Sequence, residues 1–240
     1  MSDFAKNKPI LFEIVLVLVS FIAAAVLTGC ASAIGLHPDL SSSIARIVVS
    51  VALILLFRKG FLKGSPTAGL VYVLPALLFA AWNLFYNLSS GAQLGGASFY
   101  AEALVTAAAP ALFEEVLFRG AFVSNLKAKG HSDFACLIIS AIAFALLHAT
   151  NAVGQDLTTV ALQVGYSLVV GLVFAAIYLK NGSLAQLVLA HFLVDFSNRI
   201  YVNAPTYASY TQIALFAVVL LAEALYAFLL TNSNNKNAVQ

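Results

Sequence analysis

Charge is what this sequence has least of. Asp, Glu, Lys and Arg make up 9% of its 240 residues, against 62% apolar ones, with eighteen Phe and nine Tyr. A soluble domain of this size cannot hide so much apolar surface, so the solvent is a bilayer. Nor is there a basic run or arginine-rich arm, and a net charge of +2 gives nucleic acid nothing to bind. There are only two cysteines, Cys30 and Cys136, both in apolar segments. They define neither a disulfide framework nor a metal knuckle and read as small packing residues. HExxH, Gly-x-Ser-x-Gly and any internal repeat are missing too.

What is there is a series of apolar runs long enough to cross ~30 Å of hydrocarbon. The reading is an all-α, polytopic membrane protein of about eight transmembrane helices, at 9–34, 44–58, 68–88, 100–126, 133–150, 157–179, 183–202 and 211–231. The connections ("GLHPDLSSS", "KGFLKGSP", "SSGAQLGG", "KAKGHS", "NAVGQD", "KNGS", "NAPT") are rich in turn formers and too short for a soluble domain. Residues 1–240 thus read as one membrane domain, with 232–240 a disordered tail. Lys6, Lys8, Arg58, Lys59, Lys63, Lys127, Lys129, Lys180 and Lys236 fall at alternate helix ends, and the intervening loops 35–43, 89–98, 151–156 and 203–210 have no Lys or Arg. That pattern predicts a cell-membrane protein with both termini cytoplasmic. A lipobox-like "LTGC" at 27–30 offers a rival reading as a lipoprotein signal. The long run before it carries Glu13, which favours an ordinary first helix.

Against this background "LFEEVLFRG" (112–120) stands out, with Glu114, Glu115 and Arg119 in an apolar segment. The other ionisable residues placed well inside helices are Glu102, His148, His191, Asp195 and Glu223, while Glu13 and Arg199 lie near helix ends and can snorkel. A charge at the bilayer centre costs at least ~2.5–3.5 kcal/mol, so a group of them needs a reason. Glu115 and Arg119 are i,i+4 and can neutralise each other. Glu114 is rotated by about 100° and points elsewhere. "FALLH" sets Phe144 one turn before His148, and "HFLVDFSN" aligns His191, Asp195 and Asn198. At ~1.5 Å per residue, Glu114, His148 and His191 lie about 18, 22 and 12 Å from the cytoplasmic helix ends, so they can meet near the midplane.

These groups suit hydrolysis: a desolvated carboxylate as general base, one histidine to orient water, another to donate to the oxyanion. Glu114, His148, His191 and Asp195 are also a set that can bind a divalent metal such as Zn²⁺. A proton relay in a small transporter, or a non-catalytic immunity or scaffold protein, are the other classes that such a cluster admits.

"EEVLFR", "FALLH" and "HFLVD" resemble, in order, the EExxxR, FxxxH and Hxxx(N/D) motifs of the CPBP (CAAX protease and bacteriocin-processing, Abi) intramembrane proteases, which include the type II CAAX-prenyl endopeptidases. The likeness covers residues 100–202. It implies Glu114 as the catalytic glutamate acting with His148, Glu115 and Arg119 as a supporting pair, Phe144 packing the site, and His191 with Asp195 at the oxyanion. Asp195 stands where CAAX-processing members typically have Asn, and Asn198 is a candidate replacement donor. The expected reaction needs no cofactor, with a divalent metal as the alternative. The expected partner is a membrane-associated peptide or protein substrate, such as a bacteriocin leader, and self-immunity is the other role the family suggests.

Overall fold

Two prolines open the first two helices. Pro9 and Pro38 sit in the first helical turn, where the N–H that proline lacks is unneeded. In a computed structural model, which describes residues 7–203 and 209–237, they begin α1 (Pro9–Ala33) and α2 (Pro38–Phe57). The turn-rich segment that reads as a loop is therefore the start of α2, with Asp39 in its first turn. A third proline has the opposite effect. Pro75 falls inside the expected 68–88 helix, and proline removes a donor and disfavours helix at the residue before it. That span is broken into a 3₁₀ turn (Leu70–Tyr72), further turns, and a short α3 (Leu77–Ser89).

The next segment is helical throughout 97–128 but not uniformly α. It runs as α4 (Ala97–Glu115), a π-helical stretch (Val116–Val123) and α5 (Ser124–Ala128). Ser132 caps α6 (Asp133–Leu147) by accepting from the Ala135 N–H at 3.1 Å. A 3₁₀ segment (His148–Val153) follows, then α7 (Leu157–Asn181), α8 (Leu184–Arg199) and α9 (Tyr210–Asn237). The last helix continues through 232–237, where the sequence reads as a disordered tail. Lys6, most of the 203–210 loop and residues 238–240 lie outside the described residues.

Among the described residues, five helices are long and apolar enough to cross a membrane: α1, α2, α7, α9 and the 133–153 span of α6 with its 3₁₀ extension. α3, α4 and α8 are not among them, and these elements surround the polar residues. The stretch 113–123 is almost completely enclosed, with Phe113, Val116, Leu117, Phe118 and Phe122 at most 1% exposed. α8 and α2 pack on α4, α7 packs on α6 and α9, and α3 packs on α8. α1 and α9 turn Leu18, Val19, Ile22, Leu221 and Leu225 outward, an apolar exterior suited to lipid. The protein is a polytopic helical membrane protein.

Two close approaches require glycine. A Cβ on Gly171 would lie 3.0 Å from the Ala141 Cα, so α6 and α7 meet nearly backbone to backbone. A Cβ on Gly64 would fall 2.1 Å from the Asn181 carbonyl oxygen. The 61–68 loop is thereby seated on the α7–α8 turn, where Gln186 donates to the Ser65 and Ala68 carbonyls. Elsewhere, residues 93–95 pair with 200–202 through Gly95 N–H to Ile200 O (3.0 Å) and Val202 N–H to Gln93 O (2.9 Å).

The structure corrects three readings of single residues. Glu13 does not snorkel: it is fully buried, and Asn125 donates to it at 2.5 Å. Glu102 is not deep but exposed near the start of α4. Cys30 is exposed, while Cys136 is buried. Glu223 is buried, and neither carboxylate oxygen has a hydrogen-bond partner among the described residues.

Candidate active site

Glu114 and Glu115 close α4, and a helix turns about 100° between neighbours. Glu115 faces inward and is fully buried. Its Oε1 accepts from Arg119 Nη1 at 3.0 Å and pairs with His191 Nδ1 at 2.8 Å. Arg119 lies in the π-helical stretch and is 1% exposed. Its Nη2 donates to the Gly171 carbonyl at 3.3 Å, and its guanidinium lies 4.7 Å from the Phe144 ring centroid and 5.5 Å from that of Phe174. A buried cation is tolerated only when charge, acceptors and π-faces replace its water. Arg119 has all three.

His191, on α8, joins this pair to Glu114. With Nδ1 anchored on Glu115, its Nε2 stands 3.8 Å from Glu114 Oε2 and 3.8 Å from Asp195 Oδ1. The Glu114 and Asp195 side chains remain 17% and 25% exposed, in contrast to Glu115 and Arg119. Neither accepts a hydrogen bond among the described residues. The cluster thus has a closed floor and an accessible upper edge.

His148 is the first residue past α6. Its Nδ1 lies 3.0 Å from the Phe144 carbonyl oxygen, which can only accept, so the proton sits on Nδ1 and the Nε2 lone pair is left free. Phe144 is the hub: its ring meets His148 edge-on at 5.0 Å, His191 at 6.2 Å and Phe118 at 5.2 Å.

The structure therefore joins Glu114, Glu115 and Asp195 through His191, and sets Arg119, His148 and His191 against the Phe144 ring. Asn198 is directed elsewhere, its amide oxygen accepting from Asn87 of α3 at 3.2 Å. Among the described residues no group of three or more His, Cys, Asp or Glu side chains is arranged to hold a metal ion. Sequence reasoning missed Gly171 and Phe174, which complete the arginine's surroundings, and Asn83 and Asn87 of α3. The spacing in "WNLFYN", two amides one turn apart in an apolar run, was the available signal for the latter pair.

A helical membrane bundle with a partly accessible carboxylate 3.8 Å from an imidazole, on a floor of buried ion pairs, has the equipment of an intramembrane hydrolase. Residues 96–197, which hold every member of the cluster, match the family model "Type II CAAX prenyl endopeptidase Rce1-like". Over that segment the chain is similar to the CPBP/CAAX protease family, whose members are at family level CAAX-type intramembrane endopeptidases. No curated protein matches the chain.

Proposed function

We propose that this protein hydrolyses a peptide bond of a membrane-associated protein or peptide, using water activated by Glu114 and His148. The observation that carries the reading is the division between the two glutamates. Glu115 is consumed by Arg119 and His191, while Glu114 is free, partly accessible and 3.8 Å from His191 Nε2.

Glu114 takes a proton from water as the oxygen bonds to the scissile carbonyl carbon, and the His148 Nε2 lone pair holds the second water hydrogen. The carbonyl π-electrons pass to oxygen, and that oxyanion needs a donor. Both nitrogens of His191 face carboxylate oxygens, an arrangement that suits the imidazolium, so Nε2–H is the donor. Asp195 then serves His191 rather than the oxyanion, which accounts for a carboxylate at that position. Collapse breaks the C–N bond, and the departing amine takes the proton from Glu114. No step requires a metal.

The test compares detergent-purified parent protein with Glu114→Gln on quenched peptides, one prenylated with a C-terminal CAAX sequence and others unmodified and apolar. Loss of the base lowers the rate at least ~10²-fold, with unfolding unchanged because an amide is easier to bury than a carboxylate. Cleavage by Glu114→Gln at the parent rate removes the assignment.

A further inference from the structure

α3 lies outside the family-matched segment, yet it grips the helix that carries His191 and Asp195. Asn83 Nδ2 donates to the Val194 carbonyl at 2.9 Å and to Ser197 Oγ at 3.2 Å, and Ser197 Oγ donates to the same carbonyl at 2.7 Å. One turn on, Asn87 Nδ2 donates to Asn198 Oδ1 at 3.2 Å and to the Asn83 carbonyl at 2.8 Å. The points gripped are the residue before Asp195 and the two residues at the start of the following turn. We propose that Asn83 and Asn87 are positioning residues that fix the rotation of α8, and through it the aim of His191 and Asp195 at Glu114. The proposal rests on the hydrolase reading above.

Simple adhesion between helices does not explain the choice of residues. Asn87 is 1% exposed, and its Oδ1 has no partner among the described residues. A leucine ladder would join α3 to α8 without stranding an acceptor. What amides add is direction. They bond to particular atoms, so the helix cannot roll without breaking them, whereas apolar side chains slide.

The required tolerance is small. At a side-chain radius of about 5–6 Å, a roll of about 10° moves a side-chain tip by about 1 Å. A displacement of that size in a reacting group costs up to about 100-fold in rate. Another face of α3 is held by α9, where Trp82 stacks on Phe216 at 5.1 Å. The 93–95 and 200–202 pairing holds the end of α8, and the amides of α3 hold it between that end and the His191 bond to Glu115.

The experiment reads His191 directly. The ring nitrogen signals of His191 are followed by NMR in ¹⁵N-histidine-labelled protein, assigned by their loss in His191→Gln, alongside kcat and KM on the quenched prenylated CAAX peptide. Asn83→Leu should shift those signals and their pH titration, and lower kcat about 10–100-fold with KM nearly unchanged. Asn83→Gln, which keeps the amide, should recover part of both. Tyr226→Phe is the control: it removes another interhelical hydrogen bond, to the Tyr72 carbonyl at 2.7 Å, and should leave His191 and kcat as in the parent. If Asn83→Leu does not fold, Ser197→Ala is read by the same criteria. A folded Asn83→Leu, or Ser197→Ala in its place, with parental His191 signals and pH profile overturns the proposal. Undiminished cleavage by Glu114→Gln removes the Glu114 assignment, and no cleavage by the parent protein overturns the hydrolase reading; in either case the NMR result still decides the role of α3.

Discussion

Replacing Glu115 with Gln keeps its volume and removes the charge that Arg119 and His191 share. Two charge-assisted hydrogen bonds converge on its Oε1, at 3.0 and 2.8 Å, and each is worth ~1.5–3 kcal/mol. Gln can still accept one of them weakly. The Arg119 guanidinium keeps the Gly171 carbonyl and two aromatic faces but loses its counter-ion in a site that is 1% exposed. Breaking a buried pair from one side costs ~3–5 kcal/mol, and that is the loss expected for Glu115→Gln. Arg119→Gln is milder at the carboxylate, which keeps His191, but it gives up two cation–π contacts worth ~0.5–2 kcal/mol each. The double replacement leaves neither charge stranded, so its cost should fall short of the summed single costs by ~1–3 kcal/mol. The assay is equilibrium unfolding by SDS in mixed micelles, followed by Trp82, the one tryptophan. A Glu115→Gln variant within ~0.5 kcal/mol of the parent, or single losses that simply add, would show that the pair is not held as a unit.

Glu223→Gln should stabilise the protein by roughly 1–3 kcal/mol, because both carboxylate oxygens are buried without partners among the described residues and an amide costs less to desolvate. A destabilised variant in the same SDS titration would mean that Glu223 is used. Gly171→Val should unfold at lower SDS and lose cleavage together, since the new side chain must part α6 from α7 and move the carbonyl that Arg119 uses. Retention of both in the purified variant would contradict the close approach. Gln93→Cys and Gln155→Cys, in a background without Cys30 and Cys136, should react with an impermeant maleimide on intact cells, and Lys59→Cys only after lysis. Reaction of Lys59→Cys on intact cells would invert the orientation that the basic loops imply.

Much of the site could be read from spacing alone, because local helical geometry governs it. An i,i+4 pair is in contact in any helix, and Glu115 with Arg119 is. Adjacent residues diverge by about 100°, and Glu114 with Glu115 do. What depended on tertiary structure was hidden. Glu13 reads as an end-of-helix charge, and only the fold brings Asn125 to it across 112 residues. Asn198 shares a heptad face with His191, yet α3 captures it. Pro75 was visible, but hydropathy averages over a proline and reports one span where the backbone has two pieces. The π-helical stretch left no trace, because residues 116–123 are buried on every side and no polar stripe records their phase.

That wider turn decides which kinds of genetic change this protein can absorb. In a uniform α-helix each residue adds about 100°, and a π-turn takes up an additional residue without carrying that rotation forward. Substitutions within 116–123 therefore test packing, except at Arg119, which also carries the ion pair with Glu115. Removing one residue there would let the turn tighten to α and leave what lies beyond it nearly in phase, whereas the same deletion within α4 would rotate everything beyond it by about 100°. With that rotation Asn125 would leave Glu13, and Ser124 would leave the Leu62 N–H and the Tyr178 hydroxyl. A one-residue deletion should therefore be absorbed more easily within 116–123 than in the α-helical turns of α4.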